Sequence, residues 1–369
     1  MNIAEQGRRL ETILEKARRY EALTEEDIVF ILQLRREDHI NKLFSAAREL
    51  RGIHFQDKIF LYGFLYISTY CRNNCTFCFY RTANNRSLRY RKEESEVVAA
   101  AAALARSGVH LIDLTMGEDP EFFNNHEQGF ESLIRLVRKI TEATHLPVMV
   151  SPGVVSGDVL ESLAQAGAVW YACYQETHNP VLFERLRPGQ DYQVRFNAKL
   201  MAHAYGLLTE EGILVGVGEA PGDIAHSIEE MRTLEVEQVR AMKFVPREGT
   251  PMEGYPAPDP LAELLIIAVL RLVFPGRLIP ATLDVEGLAG LERRLEAGAN
   301  VVTSIVPPRQ GLAGVAQSFL DIDDARRTTD SVLPVLRRCG LRAATKEEYL
   351  LWMESKIRNS NIETRNKFK

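Results

Sequence analysis

Three of the five cysteines in this chain lie close together, as Cys71, Cys75 and Cys78 in the pattern CxxxCxxC. An apolar run at 59–70 precedes them and a polar stretch follows, which is typical of a strand that ends in a loop. Three thiolates on one short loop can bind three irons of a cubane iron–sulfur cluster and leave the fourth iron open to another ligand. A structural zinc ion would require a fourth protein ligand, and no fourth cysteine lies near. The spacing therefore favours a cluster over zinc.

Three charged residues lie within apolar segments or at their ends. Arg240 interrupts one such segment, and Asp113 and Asp284 lie at the ends of two others. A charge in an apolar strand is costly unless it is paired or bound by a ligand. One arginine and two aspartates around one opening would complement a diamino acid, which has one carboxylate and two ammonium groups. An internal Arg240–Asp284 salt bridge is the alternative interpretation.

Other polar residues follow the predicted strands. Gly117 would let a ligand approach the backbone, and Glu118 beside it could accept an ammonium group. The hydroxyl of Ser151 could face the same opening. Glu176 could accept both hydroxyls of a ribose, and Arg195 is suited to a carboxylate. Each of these residues could equally be an ordinary polar residue of a turn or surface.

The elements that must position these residues alternate along the chain. Short apolar segments lie at 59–70, 109–114, 146–151, 168–174, 212–217, 239–245, 277–283 and 300–305. Amphipathic helical segments between them include 93–106, 129–144, 194–204, 261–273 and 288–297. Eight strand–helix repeats predict an α/β protein with a (β/α)8 TIM-type barrel, and the apolar strands fit a parallel sheet buried on both faces. Functional residues should then cluster on the loops at the carboxyl ends of the strands.

The sequence also predicts segments on either side of the barrel. Residues 1–55 should form an N-terminal helical cap packed against the main body, and residues 56–345 the barrel itself. C-terminal helices are expected between 321 and 352. The final segment, 346–369, should be a helix followed by a polar tail from 359.

Composition limits the classes of function. A formal charge of −5 gives no reason to expect nucleic acid or an anionic membrane as a partner. No apolar run approaches the roughly 18 residues that a membrane helix needs, and the polar N-terminus is unlike a secretory signal. Clustered cysteines indicate a reducing compartment rather than a disulfide framework. We therefore expect a cytoplasmic protein. A monomer is a further expectation, on which the composition has no bearing.

The cysteine motif, followed by an aromatic residue after the first strand of a barrel, resembles the radical S-adenosylmethionine (radical SAM) superfamily. The chain is similar to its biotin synthase and hydrogenase-maturase branch, and most closely to the methylornithine synthase family of pyrrolysine biosynthesis. Segments that carry this similarity lie at 68–71, 113–120, 174–177, 248–251, 277–280, 283–287 and 297–304. They span roughly residues 20 to 345. The cysteine motif identifies only the superfamily, whereas the segments at the strand ends are more specific.

The resemblance implies a [4Fe–4S] cluster held by the three cysteines, whose open iron binds the amino and carboxylate groups of S-adenosyl-L-methionine (SAM). It implies that Gly117 and Glu118 hold the methionine ammonium group, Glu176 the ribose hydroxyls and Arg195 the methionine carboxylate. Tyr80 would lie near the adenine, and Ser151 completes the cofactor-binding set.

For the substrate, the resemblance implies that Arg240 binds the carboxylate of L-lysine and that Asp113 and Asp284 bind its two ammonium groups. The family pattern has serine where this chain has Thr282, so the hydroxyl is kept and a methyl group is added.

The implied reaction isomerises L-lysine to 3-methylornithine. A 5′-deoxyadenosyl radical abstracts hydrogen, the Cα–Cβ bond breaks, and the fragments recombine. The cofactor carries this chemistry, so no catalytic side chain is expected. An electron donor such as flavodoxin or ferredoxin would be required.

Two alternatives stay open at this point. A related radical SAM enzyme acting on another small substrate would not bind lysine. A non-catalytic iron–sulfur or zinc protein would have no affinity for SAM and no use for the charged residues at the strand ends.

Overall fold

The computed structural model of the chain describes residues 2–124, 126–307 and 326–367, without the side chains at 126–128 and 358–367. Part of the predicted C-terminal helical region, residues 321–325, lies outside the described residues, as do the last two residues of the chain.

Eight parallel strands form a nearly closed barrel, which confirms the predicted fold. They are β1 Lys58–Ser68, β2 Leu111–Met116, β3 Val148–Ser151, β4 Ala168–Ala172, β5 Leu208–Val215, β6 Gln238–Lys243, β7 Pro280–Thr282 and β8 Val301–Ile305. Their order is β6-β5-β4-β3-β2-β1-β8-β7. A bridge between Gln238 and Leu278 joins β6 to the residues before β7, so the two outermost strands also meet. Most strand residues are buried, as expected for a parallel sheet covered on both faces.

Helices surround this sheet. They are α1 Ile3–Arg18, α2 Glu25–Leu32, α3 Glu37–Phe55, α4 Glu94–Arg106, α5 Pro120–Asn124, α6 His126–Thr144, α7 Gly157–Gln165, α8 Pro180–Leu186, α9 Tyr192–Ala204, α10 Pro221–Thr233, α11 Pro260–Val273, α12 Gly287–Glu296, α13 Thr329–Arg338 and α14 Lys346–Lys367. The sequence PLAELLIIAVLRLV of α11 is apolar nearly all round, because this helix lies between the sheet and the N-terminal helices. In the part of the chain that the structure describes, no helix is both long and apolar enough to span a membrane.

The N-terminal helices α1–α3 pack against the main body, mainly on α10, α11 and α12. Helix α2 begins with a capping box in which Thr24 accepts a hydrogen bond from the backbone of Asp27 and the Asp27 carboxylate accepts one from Thr24. At the end of α3, the buried Arg51 donates to the carbonyl of Leu295 at 2.5 Å, which fixes α3 to the end of α12. Helix α3 ends at Phe55, and only two residues separate it from the start of β1 at Lys58.

The C-terminal residues close the amino-terminal end of the barrel. A short strand, β9 Arg342–Ala343, pairs with the first residues of β1. From α14, the hydroxyl of Tyr349 lies 3.0 Å from that of Tyr62, and the Trp352 ring stacks on Trp170 with centroids 6.2 Å apart. Helix α14 continues to Lys367, through most of the segment predicted as a tail. That segment contains neither glycine nor proline, so nothing in it ends the helix.

Candidate active site

The cysteine loop begins where β1 ends, at the carboxyl end of the barrel. Cys71, Cys75 and Cys78 are free thiols, and Cys75 is buried. The guanidinium of Arg89 organises the loop because it donates to backbone carbonyls of Tyr80 at 2.9 Å and of its neighbours. These bonds fix the residues that follow the cysteines to one another.

One cavity of about 150 Å³ brings the predicted cofactor residues together. Its lining includes every residue predicted for the cluster and for SAM: Cys71, Cys75, Cys78, Tyr80, Gly117, Glu118, Ser151, Glu176 and Arg195. Five separate segments of sequence contribute these residues. The strand ends thus gather them as the barrel prediction required.

The residues present fit an iron–sulfur cluster. Backbone or side-chain N–H groups already point to two of the sulfurs: Asn73 donates to Cys71 at 3.5 Å, and Gln190 donates to Cys75 at 3.1 Å. Such hydrogen bonds to sulfur are characteristic of cluster sites. Within the described ranges, no three histidine, cysteine or carboxylate side chains are arranged to hold a single metal ion.

Two glycines allow the cavity walls to approach each other. A Cβ on Gly117 would lie 2.2 Å from the carbonyl oxygen of Tyr70, at the start of the cysteine loop. Gly153 has φ of +85°, and a Cβ there would lie 2.2 Å from Cγ of Glu118. Gly117 was predicted to let a ligand approach the backbone. The structure shows that it also lets the end of β2 contact the cysteine loop.

Both carboxylates of this cavity have arginine partners. Glu118 accepts from Nε of Arg72 at 3.0 Å and lies 3.6 Å from Nη1 of Arg195. Glu176 accepts from Nη2 of Arg187 at 2.5 Å. Burial raises the pKa of Glu176, while the charges of the neighbouring arginines oppose that rise. The cavity is therefore charged but internally balanced.

Glu176 also has an unusual backbone conformation, with φ of +70°. A residue other than glycine is strained there, at a cost on the order of 1–3 kcal/mol. Its carbonyl accepts from the N–H of Leu214 at 2.9 Å, which fixes the end of β4 to β5. The strand pairing thus holds the Glu176 side chain at the cavity.

A fully buried charged group beneath this segment was missed by the sequence analysis. The Glu211 carboxylate accepts from the N–H of Gln175 at 2.7 Å and lies 2.7 Å from Nζ of Lys199. Lys199 also donates to the carbonyl of Cys173 at 3.1 Å. Burial alone would raise the pKa of Glu211, but Lys199 and His178 hold it at about 2. This ion pair fixes the backbone on both sides of Tyr174.

A second cavity, of about 240 Å³, contains the four residues predicted for the substrate: Asp113, Arg240, Thr282 and Asp284. Its remaining walls are largely apolar, with Phe64, Leu214 and Phe244 among them. The two cavities are contiguous because they share lining residues: Phe77, Cys78, Met116, Ser151, Tyr174 and Glu176.

The predicted alternative, a salt bridge between Arg240 and Asp284, is wrong in its partners. Nε of Arg240 donates to Glu210 at 2.6 Å, and the other Glu210 oxygen accepts from the Tyr174 hydroxyl at 2.8 Å. Asp284 instead pairs with the buried Arg327, whose Nη2 lies 2.8 Å from Oδ1. Glu210 and Arg327 are thus two further residues that sequence analysis missed.

The remaining residues predicted for the substrate are held by neighbouring hydroxyl groups. Burial, together with the nearby charge of Glu210, raises the pKa of Asp113 to about 7. Thr115 donates to the Asp113 carboxylate at 3.1 Å. The hydroxyl of Thr282 accepts from the N–H of Asp284 at 3.1 Å, so this threonine orients the backbone of the aspartate.

Comparisons with known proteins agree with this geometry. The profile of the radical SAM superfamily matches residues 65–231. The 3-methylornithine synthase of Methanosarcina acetivorans is 40% identical over 327 residues, which cover 89% of this chain and 92% of that protein. The hydrogenase maturase subunit HydE of Thermotoga maritima is 29% identical over 79% of this chain and 82% of its own length. A crystal structure of methylornithine synthase (PylB), at 39% identity, superposes with a TM-score of 0.87 over 92% of this chain and 99% of that one. The chain therefore belongs to the radical SAM superfamily and, within it, to the 3-methylornithine synthase family.

Proposed function

We propose that this protein isomerises L-lysine to 3-methylornithine with a [4Fe–4S] cluster and SAM. The observation that carries the proposal is the pair of contiguous cavities. One is lined by three free cysteines, and the other has Arg240, Asp113 and Asp284 among its charged lining residues, together with Glu176, Lys243 and Arg247. When bound, the cluster and SAM supply a carbon radical that can take a hydrogen atom from an unactivated carbon.

On the cofactor side, Cys71, Cys75 and Cys78 would hold the cluster. Glu118, with the backbone at Gly117, would receive the methionine ammonium group. Of the two arginines beside Glu118, Arg72 has the more exposed side chain and Arg195 is buried. The ammonium group can therefore share or replace the contact with Arg72.

The remaining groups of SAM would meet four other side chains. Glu176 would accept the ribose hydroxyls, Arg195 the methionine carboxylate, and Tyr80 would lie by the adenine. Ser151 lines both cavities, so its hydroxyl faces the boundary between cofactor and substrate. Arg195 is buried, and its guanidinium is held in place because Nε donates to the carbonyl of Tyr174 at 2.7 Å and Nη1 to the amide oxygen of Gln190 at 3.3 Å.

On the substrate side, Arg240 would bind the carboxylate of lysine. Glu210 occupies its Nε, so the guanidinium is held in one orientation. Asp113 and Asp284 would bind the two ammonium groups. A bound ammonium beside Asp113 would lower its raised pKa and keep the carboxylate ionised. Thr282 contributes by orienting Asp284.

The apolar lining has a role of its own in such chemistry. The aromatic rings of Phe64 and Phe244 line the cavity and would limit the access of water to the bound substrate. A dry, shaped cavity holds reacting fragments close together and prevents side reactions with solvent. No side chain of the cavity is required to act as a general acid or base.

The reaction requires an electron from outside the chain. We propose a small donor protein such as flavodoxin or ferredoxin, and a cytoplasmic setting in which free thiols persist.

An anaerobic assay tests the function. The protein is reconstituted with iron and sulfide, reduced with dithionite, and mixed with SAM and L-lysine. We expect a new amino acid with the mass of lysine, separated by chromatography and absent from a Cys75→Ala control. Cleavage of SAM without any isomer would overturn lysine as the substrate, while the radical SAM assignment would stand.

A further inference from the structure

Cys75 receives two side-chain hydrogen bonds that no predicted site residue provides. Nε2 of Gln190 lies 3.1 Å from its sulfur, and Nη1 of Arg187 lies 3.5 Å from it. Cys71 is contacted by backbone N–H groups, among them that of Asn73 at 3.5 Å. The buried cysteine of the motif thus has two polar side chains directed at its sulfur.

Both donors lie in the short connection between α8 and α9. The carbonyl of Arg187 accepts from the N–H of Gln190 at 3.1 Å, which makes a turn that brings the two side chains to the same side. Gly189 within the turn has φ of +78°, a conformation that favours glycine. The N–H of Thr76 donates to the carbonyl of Leu186 at 2.8 Å, so the turn is fixed to the cysteine loop.

The same two side chains contact the residues proposed to bind SAM. Arg187 donates to Glu176 at 2.5 Å. The amide oxygen of Gln190 accepts from Nη1 of Arg187 at 3.4 Å and from Nη1 of Arg195 at 3.3 Å. Arg187 is buried, with its guanidinium 5.4 Å from the centre of the Phe77 ring. A continuous network therefore runs from a cluster ligand to two cofactor residues.

We propose that Arg187 and Gln190 are positioning residues that raise the reduction potential of the cluster through their hydrogen bonds to the Cys75 thiolate. Reduction adds negative charge that is shared with the sulfurs. N–H donors and a positive charge at a sulfur stabilise that state more than the oxidised one. Burial strengthens the effect because the local dielectric constant is low. This inference rests on the cluster of the proposed function, but not on lysine as the substrate.

Gln190→Leu tests the hydrogen bond with little change in size. The midpoint potential of the reconstituted cluster is measured by electron paramagnetic resonance at a series of poised potentials, without lysine or SAM. We expect a more negative potential, with the ratio of reduced to oxidised cluster falling about three- to tenfold at a fixed potential. A tenfold fall corresponds to about 59 mV for a one-electron couple.

Gln193→Leu is the matched control on the first turn of α9. Its side chain is exposed and donates to Asn197, away from the cysteine loop. The control should keep the potential of the wild-type protein. Gln190→Glu is the second test variant: it keeps the length and adds a negative charge, so its shift should have the same sign and be larger.

The outcomes separate positioning from a merely structural role. If either Gln190 variant binds iron and sulfide as fully as the wild type and has an unchanged or more positive potential, the proposal is wrong. Loss of cluster binding in Gln190→Leu and Gln190→Glu alike would also overturn it, because the residue would then be needed for assembly rather than tuning. A failed lysine assay would not affect these measurements, which contain no lysine.

Discussion

The two cavities at the carboxyl end of the barrel hold their charges in different ways. In the cofactor cavity, the carboxylates of Glu118 and Glu176 are paired with arginines from loops. In the substrate cavity, Arg240 is on β6 and its partner Glu210 is on the neighbouring strand β5. The pairs Arg72–Glu118 and Arg187–Glu176 are thus formed outside the strands, whereas Arg240–Glu210 is formed within the sheet. Asp284 and its partner Arg327 also lie outside the strands.

This difference has energetic consequences. The side chain of Arg72 is 44% exposed, and an ion pair with such exposure contributes at most about 1 kcal/mol. The pair between Arg240 and Glu210 is buried, where removing one partner typically costs about 3–5 kcal/mol. We infer that the Arg72–Glu118 contact can exchange partners when a ligand binds, whereas the buried Arg187–Glu176 and Arg240–Glu210 pairs present a fixed pattern of charge.

The largest expected effect is on the cofactor cavity. Cys75→Ala removes a thiolate that no neighbouring residue can replace, so we expect loss of the cluster and of all SAM cleavage. Iron and sulfide analysis and the release of 5′-deoxyadenosine measure these two losses. Cys339→Ala, at the end of α13 and away from both cavities, is the control and should keep both. A Cys75→Ala protein with full iron content and activity would refute the ligand assignment.

The next effect distinguishes the cavities from each other. Arg240→Met should abolish formation of the lysine isomer but leave reductive SAM cleavage detectable. It should also lower the free energy of unfolding by about 3–5 kcal/mol, because Glu210 is left as an unpaired buried carboxylate.

A second substitution separates the binding role of Arg240 from its structural role. Adding Glu210→Gln to Arg240→Met removes the unpaired charge, so stability should largely return while isomer formation stays absent. Chemical denaturation and the anaerobic lysine assay measure the two properties. Isomer formation in the double variant would show that Arg240 does not bind the substrate.

A smaller effect concerns the pH dependence of Asp113. Its pKa is raised to about 7 in the absence of ligand, so the carboxyl group is increasingly protonated below that pH. A protonated carboxyl binds ammonium poorly, and we expect KM for lysine to rise as the pH falls from 8 to 6. Asp113→Asn should weaken lysine binding at every pH and remove this dependence. A wild-type KM that is constant over this range would contradict the prediction.

The same shift predicts an effect on stability. The folded state binds the Asp113 proton more tightly than the unfolded state, whose pKa is close to the ordinary value. The resulting decrease in the free energy of unfolding is absent below the unfolded-state pKa of Asp113. It grows as the pH rises towards about 7 and then stays constant. Asp113→Asn should therefore raise the melting temperature more at pH 8 than at pH 4. An equal change in melting temperature at the two pH values would mean that folding does not raise the pKa of Asp113.

The sequence was sufficient to predict features that are local and features that follow from the repeated strand–helix arrangement of the barrel. The cysteine spacing lies within one loop, and parallel strands bring their carboxyl ends to the same opening, so Glu176 and Arg240 could be placed together. All eight strands were predicted, and β5 was the least accurate, since it begins at Leu208 rather than at 212. The acidic residues Glu210 and Glu211 made its first half look like a loop.

The partners of charged residues were harder to predict. Glu210 lies 30 residues from Arg240 and Asp284 lies 43 residues from Arg327, and nothing in the spacing marks either pair. For Arg187 the sequence contains a weak indication of a functional loop, because polar residues are frequent at 187–195 after the fourth strand. A pairing of this kind depends on which strands and loops become neighbours in space, and only the folded structure specifies that.

The smallest effect tests how finely the fixed charge pattern is tuned. Thr282→Ser removes one methyl group from the wall of the substrate cavity and keeps the hydroxyl that accepts from the N–H of Asp284. We expect a change of about threefold or less in kcat/KM for lysine, equivalent to less than about 1 kcal/mol. Thr282→Val keeps the size and removes the hydroxyl, so the Asp284 N–H loses its partner and kcat/KM should fall further, by about tenfold. If serine reduced activity more than valine, the methyl group rather than the hydroxyl would determine how this cavity holds its substrate.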